Sequence, residues 1–390
     1  MVIQPRGLVL VLLALPRLAR ADQPITDRNY VIDAHRGAAV ADYRVIGMGG
    51  VSLATAEGAI GLLANPAAAS SRPATASSWF YWDFLFDVYT PSLGVDFDNN
   101  GVRQDQFSAK TGAINAGLVG MFGAFGVAIS VSGELRDFAP PGGAEASLSA
   151  AMWRLTLARS FLDGDLVAGA SVVAGGFNLR LPATGVDLVN AGGWTIEGGG
   201  LWQPHEGNLR IGASFRPAVS AAIDPTACDP NNCAGYTLPE RVEFPWTAGA
   251  GVAWRLGPTP WNRRLSDDFR DERSTILAAD VLVSGPVEKG AGLEAFLEKR
   301  LQPSGQTASL SLRFGAEYEW VPGWLRVRGG TYWEAPRFEG VDGRLHVTLG
   351  LDVRFWSFSL WGSKYRMRFS LAGDGARYYG NTVLSLGFWH

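Results

Sequence analysis

The chain has little of what catalysis or nucleic-acid binding requires. Its four histidines, at positions 35, 205, 346 and 390, are scattered along the sequence. No Gly-x-Ser-x-Gly sequence or pair of carboxylates indicates an activated nucleophile or an acid–base couple. The formal net charge of −3 offers no basic surface for a nucleic acid. We therefore expect no catalytic residue, no cofactor, no metal site and no nucleic-acid partner.

The sequence also lacks an N-terminal apolar run long enough to span a bilayer, which needs about 20 residues. The run at residues 7–15 has only nine. Arg6 precedes it and Ala19-Arg20-Ala21 follows it, which is typical of a secretory signal peptide cleaved before Asp22. Because no cysteine lies near this point, we do not expect a lipid anchor. Removing residues 1–21 takes away three arginines and no acid, so the net charge changes from −3 to −6.

Cysteine is nearly absent, and the two that occur, Cys228 and Cys233, are close together. The four residues between them, Asp229-Pro230-Asn231-Asn232, favour a turn. Because an exported chain enters an oxidising compartment, we predict a local disulfide whose two α-carbons lie within about 7 Å of each other.

What the sequence has in abundance is alternation of apolar and polar residues. From position 345 to 355 the odd positions are Leu, Val, Leu, Leu, Val and Phe, whereas the even ones are His, Thr, Gly, Asp and Arg. The same pattern recurs at 309–320 and 365–371. Segments of roughly 9 to 11 residues with this period, separated by turn residues, are typical of a transmembrane β-barrel. The predicted fold class is therefore an all-β, antiparallel, membrane-spanning barrel.

Composition supports the barrel. The chain has 49 glycines, nearly twice the usual share of about 7%. Glycine allows strands to bend where a barrel curves. Most of the 14 tryptophans fall near the ends of proposed strands, where barrels carry aromatic girdles. The alternative is a soluble sandwich with a tryptophan-rich core.

Turn residues divide the chain into fourteen strands, an even number as a single-chain bacterial barrel requires. Short turns at 162–164, 205–207, 321–323 and 359–361 alternate with longer loops at 90–105, 180–192, 217–244, 284–307 and 335–343, which places both termini in the periplasm. The exception is the charged segment 257–274, which we interpret as a solvated insertion, with docking of a periplasmic partner as the alternative. The predicted strands are 77–89, 106–121, 126–138, 146–159, 165–179, 193–203, 208–216, 245–256, 275–283, 308–320, 324–334, 344–355, 362–372 and 381–389.

One stretch permits a different interpretation. Residues 111–133 contain no charge over 23 positions, which is long enough for a membrane helix. Six glycines, Asn115 and two serines are poor helix formers, however, and the same residues suit a hairpin that turns at 122–126. We favour the hairpin.

The residues before the first predicted strand are too rich in small and apolar side chains for a free tail. A barrel of 14 strands leaves a lumen that needs filling, because one of 8 strands is filled by side chains and one of 16 to 18 holds a channel. We therefore predict three parts: a signal peptide at 1–21, an N-terminal hatch at 22–76 with 43–70 inside the lumen, and an outer-membrane barrel at 77–390. A periplasmic cap is the alternative for the second part.

Two motifs in this N-terminal part carry a resemblance: Gly47-Met48-Gly49-Gly50, and Asn65-Pro66-Ala67 after several small residues. They are similar to the hatch of the outer-membrane long-chain fatty-acid transporter family, the FadL type. That resemblance implies a 14-stranded barrel with a lumenal hatch that passes hydrophobic molecules inward, and it makes these seven residues the candidate gate. Further similarity lies at Leu238-Pro239-Glu240, Phe244-Pro245-Trp246, Arg377-Tyr378-Tyr379 and Leu384-Ser385-Leu386-Gly387-Phe388.

The expected function is transport of a hydrophobic small molecule, fatty-acid-like or aromatic, across the bacterial outer membrane. Expected partners are this ligand, outer-membrane lipid and, during biogenesis, the barrel assembly machinery. Apolar residues in the long loops are candidates for ligand capture, with packing among the loops as the alternative; they are Val219, Leu293, Phe296 and Leu297. Two other functions stay open: an accessory barrel for a protein-secretion or envelope machine, and an outer-membrane enzyme.

A last motif is Asp96-x-Asp98-x-Asn100-Gly101, which matches the opening of a calcium-binding loop. The twelfth position of that loop should be a bidentate glutamate, and here it is Phe107. On the sequence alone an ordinary turn is the better interpretation.

Overall fold

The structure is a computed structural model that describes residues 23–36, 42–74, 76, 78–91, 96, 98–101, 111–138, 144–224, 228–265, 269–360 and 363–390. The predicted signal peptide and its cleavage point lie outside the described residues. So do the first residues of the second predicted strand and Trp361 in the predicted turn at 359–361.

Fourteen long antiparallel strands form the wall of a closed barrel, which confirms the predicted fold class and strand number. We number them β1–β14. They are β1 (Phe80–Pro91), β2 (Thr111–Phe122), β3 (Phe125–Phe138), β4 (Ala146–Phe161), β5 (Leu166–Leu181), β6 (Val186–Trp202), β7 (Leu209–Arg216), β8 (Thr247–Leu256), β9 (Thr275–Ser284), β10 (Ser309–Val321), β11 (Leu325–Glu334), β12 (Arg344–Leu360), β13 (Ser363–Ala376) and β14 (Tyr379–Phe388).

The barrel closes because its first and last strands pair with each other. Thr382 lies opposite Thr90, and Gly387 lies opposite Leu85, in an antiparallel register. Each of the other neighbouring strands in the chain also pairs antiparallel, from β1 with β2 round to β13 with β14. The wall therefore has no open edge, which is the condition for strands to cross a bilayer.

The two faces of the wall follow the alternation of the sequence. On β12, Leu349 is 70% exposed on the outer face, whereas His346 and Asp352 are fully buried on the inner face. The outer face also carries exposed indoles at positions 79, 153, 194, 202, 254, 320, 324, 333 and 356, so these tryptophans do not form a sandwich core. The wall has an apolar band outside and a polar lining inside, as a membrane barrel requires.

Residues 111–133 form the β2–β3 hairpin, which turns at Gly123 and confirms the strand interpretation of that stretch. Among the described residues no helix is long and apolar enough to cross a membrane.

The predicted loop at 180–192 is wrong. Strands β5 and β6 extend to Leu181 and from Val186, so only residues 182–185 connect them. The pairing continues to Leu181 and Val186 with a register shift between Leu179 and Arg180, and Leu179 and Leu188 are buried in a hydrophobic cluster of wall and loop residues.

The two ends of the barrel differ. The short-turn end holds the connections at 123–124, 162–165, 203–208 and 322–324, and the long-loop end holds those at 217–246, 285–308 and 335–343. Short elements order the long loops and the N-terminal residues. They are the strands Gln23–Pro24, Val31–Asp33, Val219–Ile223, Arg241–Phe244, Gly290–Ala291 and Arg300–Leu301, and helix α2 (Leu293–Leu297).

Residues near the N-terminus belong to the long-loop end. Val31–Asp33 pairs in parallel with both Arg241–Phe244 and Gly290–Ala291. The Arg337 guanidinium donates to Asp33 at 2.8 Å and fixes this strand. Residues 23–33 thus lie at the long-loop end, so the predicted periplasmic position of the N-terminal residues is wrong for them. Because β1 begins at the short-turn end, the residues between pass through the lumen.

Cys228 and Cys233 are bonded to each other, with their α-carbons 5.4 Å apart. The disulfide closes a short turn in the long loop that leads to Arg241–Phe244.

We predict that heating changes the electrophoretic mobility of the protein. A closed barrel keeps its backbone hydrogen bonds within the wall, so detergent alone leaves it folded and compact. Unboiled and boiled samples should therefore migrate at different positions, and the unboiled form should give a β-rich circular dichroism spectrum. Identical mobility together with a helix-rich spectrum would contradict the fold.

Candidate functional site inside the barrel

The lumen contains a segment of the chain that we call the N-terminal segment, residues 42–74. It comprises helix α1 (Tyr43–Gly47) and two 3₁₀-helices, Gly58–Gly61 and Pro66–Ser70. Helix α1 contacts β11–β14, whereas the 3₁₀-helices contact β1–β6. The segment therefore lies between opposite sides of the wall, and most of its residues are buried.

The segment has a defined local structure because of its capping residues. Asp42 accepts hydrogen bonds from the backbone N–H groups of Arg44 and Val45 at the start of α1. Asn65 caps the second 3₁₀-helix by accepting from Ala67 N at 3.1 Å, and Pro66 stands at the first helical position, where its missing N–H has no cost. The Asn-Pro-Ala motif is thus a helix start.

Glycines of the wall allow the backbone of the segment to approach closely. A β-carbon added to Gly126 would lie 1.7 Å from Ala69 O, and one added to Gly212 would lie 2.0 Å from Leu53 O. Similar clashes with the segment would arise at Gly169, Gly199, Gly315 and Gly330. Six strands therefore present bare backbone to the segment, which accounts for part of the high glycine content.

The Gly47-Met48-Gly49-Gly50 motif also brings its backbone close to the backbone of the wall, and here the glycines belong to the segment. Gly49 has φ of +66°, and a β-carbon there would lie 2.1 Å from Phe314 O, so only glycine fits. Its N–H donates to Thr348 Oγ1 at 2.7 Å. The side chain of Met48 is fully buried.

Wall carboxylates accept hydrogen bonds from backbone N–H groups of the segment that its short helices leave free. Asp280 accepts from Ser52 N at 2.6 Å and from Leu53 N at 3.0 Å. Asp83 accepts from Ala59 N at 2.7 Å, and Asp87 accepts from Tyr43 N at 3.3 Å. Irregular backbone at membrane depth is tolerated only when it is satisfied in this way.

An ion-pair network holds α1 against the wall. The Arg44 guanidinium donates to both carboxylate oxygens of Glu317, at 3.0 and 3.2 Å. Glu317 and Asp352 also pair with Arg328, which is buried. The ring of Tyr43 packs against the guanidinium of Arg368 at 3.9 Å. A charged side chain inside a barrel is costly unless it is paired, and these are paired.

The insertion at 257–274 closes the short-turn end beneath the segment. Trp261 is buried with Met48, Val51 and Ala54 of the segment, so the interpretation of a fully solvated insertion is wrong for this residue. The backbone of Leu265 donates to Ala74 O at 2.9 Å. The charged residues of the insertion differ in exposure, and Arg263 lies at the surface with Glu206.

Above the segment, towards the long loops, lies a cavity of about 200 Å³ lined by both the segment and the wall. Three arginines converge on it. Arg36 donates to Ser132 Oγ at 3.0 Å, Arg154 to Glu197 at 3.0 Å, and Arg216 to the carbonyl of Pro245 at 2.9 Å. Arg154 and Arg216 are each 7% exposed.

These arginines keep unused donors. Arg36 Nε and Nη2, Arg154 Nη1 and Arg216 Nη1 are buried and have no hydrogen-bond partner within the part of the chain that the structure describes. Among the described residues the lining also includes Arg313 and the carboxylates of Asp42, Glu197 and Glu334, so four positive charges face three negative ones. His35 adds none at neutral pH, since burial and the nearby Arg337 lower its pKa to about 4. The cavity is therefore suited to an anionic group.

Sequence reasoning missed this arginine cluster, although a signal exists. Arg154 stands between Trp153 and Leu155 in the middle of a strand whose other charged residue, Arg159, lies near its end, and it falls on the inward-facing phase of the alternation. A charge at that depth indicates function. That Arg36 and Arg216 join it follows only from the register of the folded wall and from the path of the N-terminal residues.

The candidate capture residues lie together, but in a packed cluster. Val219, Phe296 and Leu297 are buried in the long-loop cluster, and Leu293 packs against it. Tyr30 and Phe244 belong to the same cluster. Three of the four side chains are therefore buried by packing within the cluster, and their role in ligand capture stays a prediction.

The fold is a 14-stranded barrel with a segment of the chain inside it, and solved structures of this class are similar to it. A FadL homologue of Pseudomonas aeruginosa matches with a TM-score of 0.57 at 12% identity, over 91% of this chain and 99% of that one. The toluene transporter TodX of Pseudomonas putida matches with 0.53 at 14%, over 93% and 99%. The toluene transporter TbuX of Ralstonia pickettii matches with 0.52 at 14%, over 92% and 100%.

The chain thus has the FadL-type outer-membrane transporter fold, which confirms the resemblance at the level of the fold. No protein-family model matches the chain. The comparison with curated proteins found no match.

We predict that Gly199→Ala disturbs the N-terminal segment whereas Gly198→Ala does not. The new β-carbon at 199 would lie 2.2 Å from Asn65 Oδ1, but at 198 no heavy atom lies within 4 Å. Overpacking of this kind costs about 1–3 kcal/mol. In reconstituted bilayers Gly199→Ala should raise the leak of small ions several-fold, with heat-modifiability unchanged. Equal leak through the two variants would show that this contact does not hold the segment.

Proposed function

We propose that this protein carries hydrophobic small molecules with an acidic head group across the bacterial outer membrane, and that the N-terminal segment is its hatch. The observation that carries the proposal is the cavity bounded by the segment and the wall, whose lining includes three arginines with buried, unpartnered N–H groups. The outer leaflet of such membranes is a charged, ion-bridged sugar layer, so apolar solutes need a protein route.

The chemistry of the cavity supports an amphipathic ligand. Its arginines would bind a carboxylate through charge-assisted hydrogen bonds, and such bonds relieve the cost of burying unpaired guanidinium groups. Met152, Phe244, Leu282 and Leu310 contribute apolar lining for a chain or ring. Two of the similar structures are described as toluene transporters, and toluene is neutral. The buried arginines favour an acid over a neutral hydrocarbon for this chain.

The construction of the N-terminal segment supports a role as a gate. Its part at residues 65–70 meets the wall glycines 126, 169 and 199 through Asn65, Pro66 and backbone, so few large side chains must repack if that part shifts. Its hydrogen bonds to Asp83, Asp87 and Asp280 involve single carboxylates that water could replace. Such a segment suits opening and closing better than a core of interlocking side chains.

The proposed head-group site is tested with the double variant Arg154→Gln/Arg216→Gln. We expect decanoate to bind the wild-type protein in detergent and to bind the variant at least tenfold more weakly, because two charged donors are lost. Decan-1-ol should bind both proteins equally, since it lacks the charge. Titration calorimetry measures both ligands.

Arg180→Gln is the matched control, because Arg180 lies on the exposed part of the β5–β6 hairpin. It should bind decanoate like the wild type. If the double variant keeps full affinity for decanoate while it remains heat-modifiable, the arginines do not recognise the ligand.

The hatch is tested separately by replacing Asn65-Pro66 with Ala-Ala. This change removes the cap of a 3₁₀-helix and the bonds from Asn65 Nδ2 to Leu53 O and Gly200 O. Deletion of residues 43–70 should raise passive leak, and the double alanine variant should lower uptake of decanoate without unfolding the wall. Unaltered leak after deletion would refute the hatch. Unchanged uptake in a strain lacking the protein, with loss of secreted proteins, would instead favour an accessory barrel.

A further inference from the structure

A second group of buried polar side chains lies at the long-loop end, away from the arginine cavity. The backbone N–H groups of Asn100 and Gly101 donate to the two oxygens of Asp96, each at 2.9 Å. Asp98 accepts from Asn100 N at 3.2 Å. The residues of the Asp96-x-Asp98-x-Asn100-Gly101 motif thus fold back on themselves and place two carboxylates beside the Asn100 amide.

A third carboxylate reaches the same place from a distant part of the chain. Glu294 of helix α2 accepts from Asn100 Nδ2 through Oε2 at 2.9 Å. Its other oxygen, Oε1, is buried and has no hydrogen-bond partner among the described residues, although the residue is only 8% exposed. A buried carboxylate oxygen without a donor is costly, so it indicates a missing partner with positive charge.

We propose that Asp96, Asp98, Asn100 and Glu294 form a calcium site that joins the β1–β2 loop to helix α2. The glutamate that the twelfth loop position lacks is supplied by Glu294. Calcium fits because each of the four side chains offers oxygen, and because calcium accepts irregular coordination whereas magnesium requires a near-ideal octahedron.

The Asn100 side chain must turn for the ion to bind. In this structure its Nδ2 lies between Asp98 Oδ2, at 3.5 Å, and Glu294 Oε2. No three acidic or histidine side chains of the described part of the chain already surround one point as metal ligands. Rotation of the amide by half a turn puts the oxygen Oδ1 where this N–H₂ donor now lies, so that a cation can bind between Oδ1 and the carboxylates of Asp98 and Glu294.

The site is tested by titrating calcium into detergent-purified protein that has been treated with EDTA. We expect one ion per chain, with a dissociation constant of about 10⁻⁴–10⁻³ M, as in extracellular calcium modules. Glu294→Gln should weaken binding at least tenfold, whereas Glu288→Gln, an exposed change in the same long loop, should leave it unaltered. Magnesium should bind more weakly than calcium.

Asn100→Asp separates a metal site from a purely structural cluster. It adds a fourth carboxylate, so without calcium it should lower the unfolding temperature, and calcium should restore that temperature and bind more tightly than in the wild type. The mobility of unboiled samples verifies that each variant is folded. Absence of saturable calcium binding to the wild type, or equal binding by Glu294→Gln, would overturn the proposal. Destabilisation of Asn100→Asp that calcium does not relieve would do the same.

Discussion

The closure of β1 onto β14 is the constraint on which the rest of the molecule depends. Because every wall strand then has a hydrogen-bonded neighbour on each side, the outer face can be wholly apolar without leaving backbone groups unsatisfied in lipid. The alternation of the chain sends the complementary polar face inward. The polar side chains of that inner face need partners and the lumen needs filling. These two requirements together explain the ion pairs, the wall carboxylates and the N-terminal segment.

Side chains of the wall complete the hydrogen bonding of the segment. The segment has short helices and turns, so many of its N–H groups have no local acceptor. Asp83, Asp87 and Asp280 supply acceptors from the wall, and six wall glycines let the backbones come close enough. These backbone contacts act together with larger side chains of the segment, since Ile46, Ile60 and Leu62 belong to one hydrophobic cluster with wall residues such as Leu85, Val119 and Met121.

The sequence predicted most of the wall because its period of two is a local property. Leu349 and Asp352 could be assigned to opposite faces from their positions alone, and the structure places them so. The prediction failed at 180–192, where the strands continue and Leu188 is buried in a cluster that includes distant loop residues such as Phe296 and Leu297. The meeting of Arg36, Arg154 and Arg216, like that of Asn100 and Glu294, depends on strand register and loop path. No local pattern in one sequence encodes those.

The short parallel strand Val31–Asp33 has a mechanical consequence. It attaches the N-terminal chain at one end of the barrel, while the covalent joint to β1 attaches it at the other. A chain anchored at both ends cannot be expelled from the lumen as a body in either direction while Arg337 holds Asp33. A ligand can pass the segment only if the segment moves sideways within the lumen while both of its ends stay attached. The width of such a path is then set by how far residues 42–74 can move away from the wall, and not by the diameter of the barrel.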